Sequence, residues 1–412
     1  MIVRIAGAVV GLRRFLAAEL PLSPSEIVRE ASKAAAASAL GWLSLSGDFA
    51  AASPQTSPTH QPLISPPEPR LLAQQDLIGE LKQLVGKRRN RQAVHSASIV
   101  ICTCYRPDAI RDCLASILAE ISAGREVVVV DNGPDPETEA IVRAVPGVRY
   151  VAEPLRGLSQ ARNTGIEAIS NEIAIFIDDD VRPEPGWIDG LLPAFNDPRV
   201  SVACGLVLPD ELGNDAQIAF QEELGFGGMG LVPIRFDAVF RRAFRFGVPV
   251  WHVGAGANMA VRKSAAEQLG GFDPRIGPGA AGGCGDDSEF WHRSLFAGDV
   301  LVYEPLSVVR HQHRRDWPAL KRQAYGYGLG HMVALFAQYA HDGDKGDLVR
   351  AFYVLPKWYF GRLLRLPWRR QRGNPDRLLM SLIAGYFASF RHLGLIFGRF
   401  HSQGPSKTRR AK

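Results

Sequence analysis

The chain has 412 residues, of which 46% are hydrophobic and 22% charged, and its mean hydropathy is −0.04. This composition is typical of a soluble globular protein with one large α/β domain plus extensions, or with two modest domains. The net charge of +6 fits anionic partners such as nucleotides, phospholipids or nucleic acid without choosing among them. The first residues read MIVRIAGAVVGLRRF, an apolar run that is too short and too interrupted by charges to span a bilayer, and we do not expect it to be a signal peptide.

The five cysteines are odd in number and irregularly spaced. Cys102 and Cys104 alternate along a predicted strand, which is the wrong register for a CxxC zinc or redox site. We therefore expect reduced thiols.

Residues 1–95 are predicted to form an N-terminal extension, partly disordered, with a Pro-rich linker. The linker reads AASPQTSPTHQPLISPPEPR, and its composition indicates an extended segment. Around it, helical patterns run from Ile27 to Leu40 and from Leu71 to Val85. The basic cluster KRRNR then marks a boundary.

From Ser96 onward, strand patterns alternate with helical patterns. The predicted strands read SIVICT, EVVVVD, VRYVAEP and EIAIFIDDD, and the predicted helices between them read IRDCLASIL, PETEAIVRAV and LSQARNTGIEAI. Continuously hydrophobic strands in such alternation predict a mostly parallel sheet flanked by helices. Ligands of such sheets bind outside the carboxyl ends of the strands, where Thr103, Asp131 and Asp178–Asp180 stand here. Later strands are predicted in VSVACGLVLP, PVWHVGAGANMAV and VLVYEPLSVVRHQH.

Three adjacent carboxylates, Asp178, Asp179 and Asp180, end the fourth strand. Like charges this close repel one another unless a cation neutralises them, and oxygen ligands suit Mg²⁺ or Mn²⁺. In an extended segment Asp178 and Asp180 point to the same side. We expect Asp180, alone or with Asp178, to hold a metal ion that bridges a diphosphate, and the remaining carboxylate to contact a ribose or sugar hydroxyl. The alternative is a solvated acidic turn that caps the next helix.

The order and spacing of six motifs resemble the signature of family 2 glycosyltransferases, over about residues 96–315. The motifs are SIVICTCYRP, VVVVDNG, GLSQARNTGI, IFIDDDVRPEPGW, GANMAVRKSAAEQLGGFD and GDDSEFWHR. The resemblance implies a GT-A fold for residues 96–318 and a metal-dependent, inverting transfer of a sugar. The donor is expected to be a nucleotide-sugar, UDP-linked by default with dTDP or GDP as alternatives, and the acceptor a glycan or a lipid-linked glycan in polysaccharide or glycoconjugate synthesis.

The resemblance also implies roles for individual residues. Asp131 is expected to read the base, Arg162 to contact the donor with Asn163 nearby, and Asp178–Asp180 to match the DxD motif. The nucleotide is expected to lie against Thr103, Tyr105 and Arg106. Each role has an alternative: Tyr105 could be a packing residue, Arg162 could pair with a surface acid, and Asp131 could cap a turn.

A second acidic group stands in GCGDDSEF. Inverting transfer needs a base beside the acceptor hydroxyl, and only a carboxylate or a histidine held there can serve. The family's acidic pair here is Glu-Asp, and this chain has Asp286-Asp287, so we expect Asp287 to be the base and Asp286 to orient the acceptor. The alternative is an N-cap pair for the following helix. In HQHRRD, either His313 or His311 is expected to complete the metal shell or to contact the diphosphate, with a plain surface position as the alternative.

Residues 319–412 are predicted to form a helical, basic region that ends in KTRRAK. Trp358, Tyr359, Trp368 and Phe387 stand among Arg and Lys, which fits a helix pair in the headgroup region of a membrane. We therefore expect a cytoplasmic protein at the inner face of the membrane. An ordinary helical cap on the catalytic domain is the alternative.

Three other functions are alternatives. A non-catalytic sugar-nucleotide binder or scaffold is the most serious alternative, because Asp286 replaces the usual Glu. Nucleic-acid binding lacks any matching pattern, and a dinucleotide-dependent oxidoreductase lacks a GxGxxG after the first strand.

Overall fold

The computed structural model describes residues 2–5, 8–12, 22–43, 50–51, 75–226, 230–371 and 376–394. Apart from Ala51, the predicted linker lies outside the described residues, as does the KTRRAK tail. The predicted division into residues 1–95, 96–318 and 319–412 stays a prediction.

The strands of the described residues are, in chain order, β1 (Ile2–Ile5), β2 (Ala8–Leu12), β3 (Ala50–Ala51), β4 (Ala97–Thr103), β5 (Val127–Asp131), β6 (Val148–Ala152), β7 (Ile173–Asp178), β8 (Val181–Pro183), β9 (Val200–Pro209), β10 (Ile234–Phe236), β11 (Asn258–Arg262) and β12 (Val300–His311).

The α-helices of the described residues are α1 (Pro24–Leu43), α2 (Gln75–Arg89), α3 (Pro107–Ser116), α4 (Leu118–Ser122), α5 (Pro136–Arg143), α6 (Leu158–Ala168), α7 (Trp187–Leu191), α8 (Asp215–Glu223), α9 (Ala238–Arg242), α10 (Lys263–Gln268), α11 (Asp286–Ala297), α12 (Trp317–Asp342), α13 (Lys345–Val349), α14 (Leu355–Gln371) and α15 (Leu379–Ala388). A π-helical turn, Arg350–Val354, joins α13 to α14.

Ten of the described strands form one sheet in the order β3-β10-β12-β9-β11-β7-β4-β5-β6, with β8 paired to β12. The strands β7, β4, β5 and β6 are parallel neighbours, and β12 is parallel to β9. The strand β11 lies antiparallel between β7 and β9. The predicted α/β architecture, a largely parallel sheet flanked by helices, is confirmed.

The register of the parallel strands brings the predicted polar residues to one edge. Thr103 pairs with Asp131, and Cys102 pairs with Asp178. All five residues of β5 and the first five of β7 are buried, which explains why both strands are almost entirely hydrophobic.

One predicted strand is shorter than expected. In PVWHVGAGANMAV only the end belongs to β11, and Val250–His252 form a 3₁₀ turn. Pro249 has no amide hydrogen for a ladder, and Gly254 and Gly256 weaken extended pairing before Asn258, where β11 begins.

The described part of residues 1–95 packs on the sheet domain. The strands β1 and β2 form an antiparallel hairpin. The indole of Trp42 on α1 donates to the carbonyl oxygen of Leu231 (2.8 Å), and Arg88 on α2 forms a buried ion pair with Glu304 (2.6 Å). Neither contact could be predicted from the local sequence.

The C-terminal region is helical, as predicted, and packs through glycines. A Cβ atom at Gly328 on α12 would overlap the carbonyl oxygen of Leu382 on α15, and one at Gly330 would overlap that of Cys284. The glycines of YGYGLGH therefore let α12 lie directly against α15 and against the loop before α11. Among the described residues, no helix combines the length and the apolar composition needed to cross a bilayer.

Candidate active site

Asp179 is held on one side of the sheet edge by two residues from β4 and the loop after it. The hydroxyl of Thr103 donates to Asp179 Oδ2 (2.8 Å), and the guanidinium of Arg106 pairs with Asp179 Oδ1. Arg106 also donates to Asp180 Oδ2 (3.2 Å). The structure thus brings together Thr103, Arg106 and two of the three predicted aspartates.

A second group consists of Asp178, Asp180 and His311. One ligand atom from each lies within 4.8 Å of the others, and His311 Nε2 is 3.3 Å from Asp180 Oδ1. His311 is the last residue of β12, which places it beside the loop after β7. These three residues could hold a metal ion.

The electrostatics of this group favour a cation. Burial raises the pKa of Asp178 to about 7; Arg162 opposes the shift, and the carboxylates of Asp180 and Asp179 add to it. Burial also acts to raise the pKa of Asp180, but His311 and Arg106 hold it below its usual value. Burial lowers the pKa of His311, so the imidazole is neutral at physiological pH and able to bind a metal ion. Two carboxylates and an imidazole fit Mn²⁺ better than Mg²⁺, which prefers oxygen ligands.

His313 lies behind His311 instead of beside the carboxylates. Its Nδ1 is 3.1 Å from His311 Nδ1, and its Nε2 is 3.0 Å from the side-chain oxygen of Gln221. Its ring packs on Phe220, with centroids 4.4 Å apart. Both ring nitrogens of His313 thus have hydrogen-bond partners. The histidine of the candidate metal group is therefore His311 and not His313.

Arg162 links the two predicted acidic groups. Its side chain is only 3% exposed and pairs with Asp286 through Nη1, while Nη2 lies 3.9 Å from Asp178 Oδ1. Burial raises the pKa of Asp286 to about 6, and Arg162 opposes that shift. The guanidinium therefore fixes α11 against the end of β7.

Asp287 stands in the first turn of α11 with its carboxylate held by two backbone amides. Oδ2 accepts from the amide of Gly256 (3.1 Å), and Oδ1 from the amide of Ser288 (2.6 Å). A Cβ atom at Gly256 would come within 2.5 Å of Arg162 Nη2, so any other residue there would displace the guanidinium. The N-cap of α11 is Gly285, so Asp286 and Asp287 follow the cap and do not form it.

The predicted nucleotide contacts Asp131 and Tyr105 lie in different surroundings, one buried and one exposed. Asp131 is fully buried: Oδ2 accepts from the Asp135 amide and from the Tyr150 hydroxyl, both at 3.0 Å, and Oδ1 has no partner in the described part of the chain. Tyr105 is 58% exposed at the rim, in a left-handed conformation (φ 53°), beneath the guanidinium of Arg156.

Asn163 is not brought into this group. Its side chain donates to the carbonyl of Phe272 (2.9 Å) and accepts from the amide of the same residue (2.7 Å). Both ends of the amide hold the loop before α11, so the predicted donor contact is replaced by a positioning role.

An open cleft of about 1310 Å³ runs along Asp178–Asp180, Arg162 and Asp287 and continues under the C-terminal helices. Trp358 and Tyr359, predicted to face a membrane, line this cleft instead. Sequence reasoning also missed the exposed Arg314 and Arg322 at the cleft. The signal available for Arg314 was its position directly after the HQH segment.

Residues 98–270 match the family model described as glycosyl transferase family 2. The chain is 30% identical over 204 residues to a pre-mycofactocin glycosyltransferase of Mycobacterium tuberculosis, and the alignment covers 48% of this chain and 40% of that protein. It is 23% identical over 278 residues to a glucosyl-dolichyl phosphate glucuronosyltransferase of Haloferax volcanii, with 62% and 84% covered. The chain thus spans less than half the length of the mycobacterial relative.

Among solved structures, a mannosyltransferase from Pyrobaculum calidifontis in complex with GDP-Man and Mn²⁺ aligns with a TM-score of 0.48 and 16% identity. That alignment covers 85% of this chain and 92% of that chain, a similarity too low for any conclusion about function.

The substitution Asp178→Asn should have two opposite effects. A carboxylate whose pKa is raised from about 3.9 to about 7 on folding makes the native state less stable as pH rises from about 4 to about 7. The variant should therefore melt at a higher temperature than the wild type at pH 8 without metal, and it should lose the stabilisation that added Mn²⁺ gives. Thermal unfolding with and without MnCl₂ measures both.

The control is Asp189→Asn, at a side chain that is 71% exposed. It should change neither value. A variant at position 178 that still gains stability from Mn²⁺ would contradict the assignment of this carboxylate to the metal group.

Proposed function

We propose that the protein is an inverting glycosyltransferase that moves a sugar from a nucleoside diphosphate to an acceptor hydroxyl; the match of residues 98–270 to the family model described as glycosyl transferase family 2 supports this proposal. The observation that carries the proposal is the pairing of two carboxylate groups across one cleft, joined by Arg162. UDP-sugars are the default donors.

On the donor side, Asp178, Asp180 and His311 would hold Mn²⁺, which when bound neutralises the negative charge of the diphosphate. Arg106 keeps Asp179 in place, and Thr103 fixes the other oxygen of the same carboxylate. The rim residue Tyr105 is available for contact with the nucleotide. Asp131 keeps one buried, unpartnered acceptor oxygen in the described part of the chain, which suits a donor group of the base.

On the acceptor side, Asp287 takes the proton from the attacking hydroxyl as that oxygen bonds to the anomeric carbon. The bond from the anomeric carbon to the diphosphate breaks on the opposite face, and its electrons leave with the diphosphate. The amides of Gly256 and Ser288 orient the carboxylate for this step. Asp286 remains paired with Arg162 and keeps α11 in position.

The substitution Asp287→Asn tests the proposal against the non-catalytic alternative. Asparagine keeps the size of the side chain but cannot accept the proton, so sugar transfer and donor hydrolysis should fall roughly 100-fold or more. Binding of UDP in the presence of Mn²⁺, followed by calorimetry, should change little. Donor hydrolysis by the wild type with UDP-, GDP- and dTDP-sugars measures the activity.

The control is Asp215→Asn, which changes a first-turn acid of α8. It should retain full activity. A wild type that binds UDP but hydrolyses none of these donors would favour the scaffold function, and normal turnover by the Asp287 variant would remove the base assignment.

Arg314 is proposed to contact the donor diphosphate. It is exposed at the cleft, has no ion-pair partner among the described residues, and contributes to the lowered pKa of Asp180. Its neighbour Arg315 pairs with Glu211 (2.8 Å) instead. Adjacent residues of one type therefore offer a matched comparison.

We expect Arg314→Ala to weaken UDP binding roughly tenfold, because a charge-assisted hydrogen bond to phosphate is lost. Arg315→Ala should leave the affinity for UDP unchanged, because its partner is a surface acid. Calorimetric titration of both variants decides the matter, and equal effects at the two positions would contradict the assignment.

Contact with the cytoplasmic face of a membrane is proposed for the outer surface of α14 and α15 and the turn before them. Seven large apolar residues there are each more than half exposed: Phe352, Tyr353, Phe360, Leu364, Trp368, Met380 and Phe387. The cations Lys357 and Arg365 stand among them and are exposed, which suits anionic lipid. The name of the archaeal relative supports a lipid-linked acceptor.

Co-sedimentation with vesicles tests this surface. The wild type should pellet with phosphatidylglycerol vesicles and less with phosphatidylcholine vesicles. The double substitution Phe360→Ser, Leu364→Ser should lower the bound fraction roughly tenfold, since two exposed apolar side chains are removed. Phe246→Ser, at another exposed aromatic residue, should have no effect. Equal binding by all three proteins would exclude this surface.

A further inference from the structure

Beyond Asp287 the cleft continues into a space bounded by α12, α14 and the turn before β11. We call this space the distal pocket and define it by five residues that line the cleft: Trp251, His331, Gln338, Arg350 and Trp358. The family match ends at residue 270, so four of the five residues lie outside it.

The distal pocket adjoins the proposed base. The side-chain amide of Gln338 donates to the carbonyl oxygen of Ser288 (3.4 Å), the residue that follows Asp287. On the other wall, the rings of Trp251 and His331 pack with centroids 4.7 Å apart. A molecule in this pocket would therefore extend directly to the carboxylate of Asp287.

Several polar groups in the wall are buried without a hydrogen-bond partner in the described part of the chain. They are Gln338 Oε1, Arg350 Nε, Trp358 Nε1 and His331 Nε2. Gln338 and Arg350 are only 2% and 7% exposed, so bulk water does not satisfy them. Native proteins seldom leave such groups unpaired, and these include both donors and acceptors.

The backbone at Arg350 is also unusual. Arg350 begins the π-helical turn Arg350–Val354, and π-helical turns occur frequently at functional sites. The guanidinium lies over the ring of Trp251, 4.8 Å from its centroid, while Nη2 donates to the carbonyl of Gly247 (2.8 Å). The π turn thus directs a buried cation onto the ring of Trp251.

We propose that the distal pocket binds a sugar ring of the acceptor, an inference that rests on the proposed function. A sugar hydroxyl both donates and accepts, so it can pair with Gln338 Oε1 and with the N–H groups of Arg350 and Trp358. The apolar face of a sugar ring packs on aromatic side chains, and the indoles of Trp251 and Trp358 both line this pocket. An alkyl chain would leave all of these polar groups unpaired, and the pocket therefore selects a glycosylated acceptor over a bare lipid.

Saturation-transfer NMR on the full chain with UDP and Mn²⁺ tests the proposal. The probes are the methyl glycosides of glucose, galactose, mannose and N-acetylglucosamine. At least one should bind the wild type. Gln338→Leu and Arg350→Gln should weaken that binding about fivefold or more, in line with the loss of a single hydrogen bond, and leave the affinity for UDP within about twofold.

Arg241→Gln is the matched control. Arg241 also has a buried Nε without a partner in the described part of the chain and lies 4.8 Å from an aromatic centroid, that of Phe296, but it stands on α9. This variant should bind the glycoside as the wild type does. Trp358→Phe keeps an aromatic ring, removes only the N–H, and should weaken glycoside binding even if Arg350→Gln fails to fold.

The outcomes separate the two proposals. If no methyl glycoside binds, or if the Gln338 and Trp358 variants bind as well as the wild type, the distal pocket is not an acceptor site, whatever the affinity for UDP. If glycosides bind through Gln338 while UDP and Mn²⁺ do not bind, the sugar site stands and the glycosyltransferase function falls.

Discussion

A single buried guanidinium determines the geometry of this site. Arg162 lies between Asp286 at the start of α11 and Asp178 at the end of β7, two carboxylates that would repel each other without it. Burying an ion pair costs desolvation energy, so such a pair specifies an arrangement more than it stabilises the fold. The close approach also explains Gly256, because the space of a side chain there is filled by Arg162.

Features set by local sequence could be predicted well. The periodicity of apolar residues, the hydrophobic runs and the rule that ligands bind at the carboxyl ends of parallel strands all depend on short segments. They correctly predicted that Thr103, Asp131 and Asp178 lie at one edge of the sheet. The helical C-terminal region followed from the same kind of pattern. The family match supports the same segment, from residue 98 to residue 270.

Side-chain partners distant in sequence could not be predicted. The side chain of Asn163 is hydrogen-bonded to Phe272, more than a hundred positions away, and that of His313 is hydrogen-bonded to Gln221. These hydrogen bonds occupy both side chains, and no local motif indicates them. The position of Trp358 and Tyr359 in the cleft could not be predicted for a related reason. The pattern of α14 has aromatic residues on two sides, and only the packing of α12 and α15 decides which side lines the cleft.

The buried carboxylates of the site also lower the stability of the folded chain when no ligand is bound. Burial raises the pKa values of Asp178, Asp179 and Asp286, so near neutral pH the folded chain holds protons that the unfolded chain would release. A bound cation removes that penalty, because the carboxylates then have a counter-charge. Binding of the cation in turn stabilises the fold. The three aspartates directly follow the fully buried run of β7, and the burial of its hydrophobic side chains offsets part of the cost of the acidic edge.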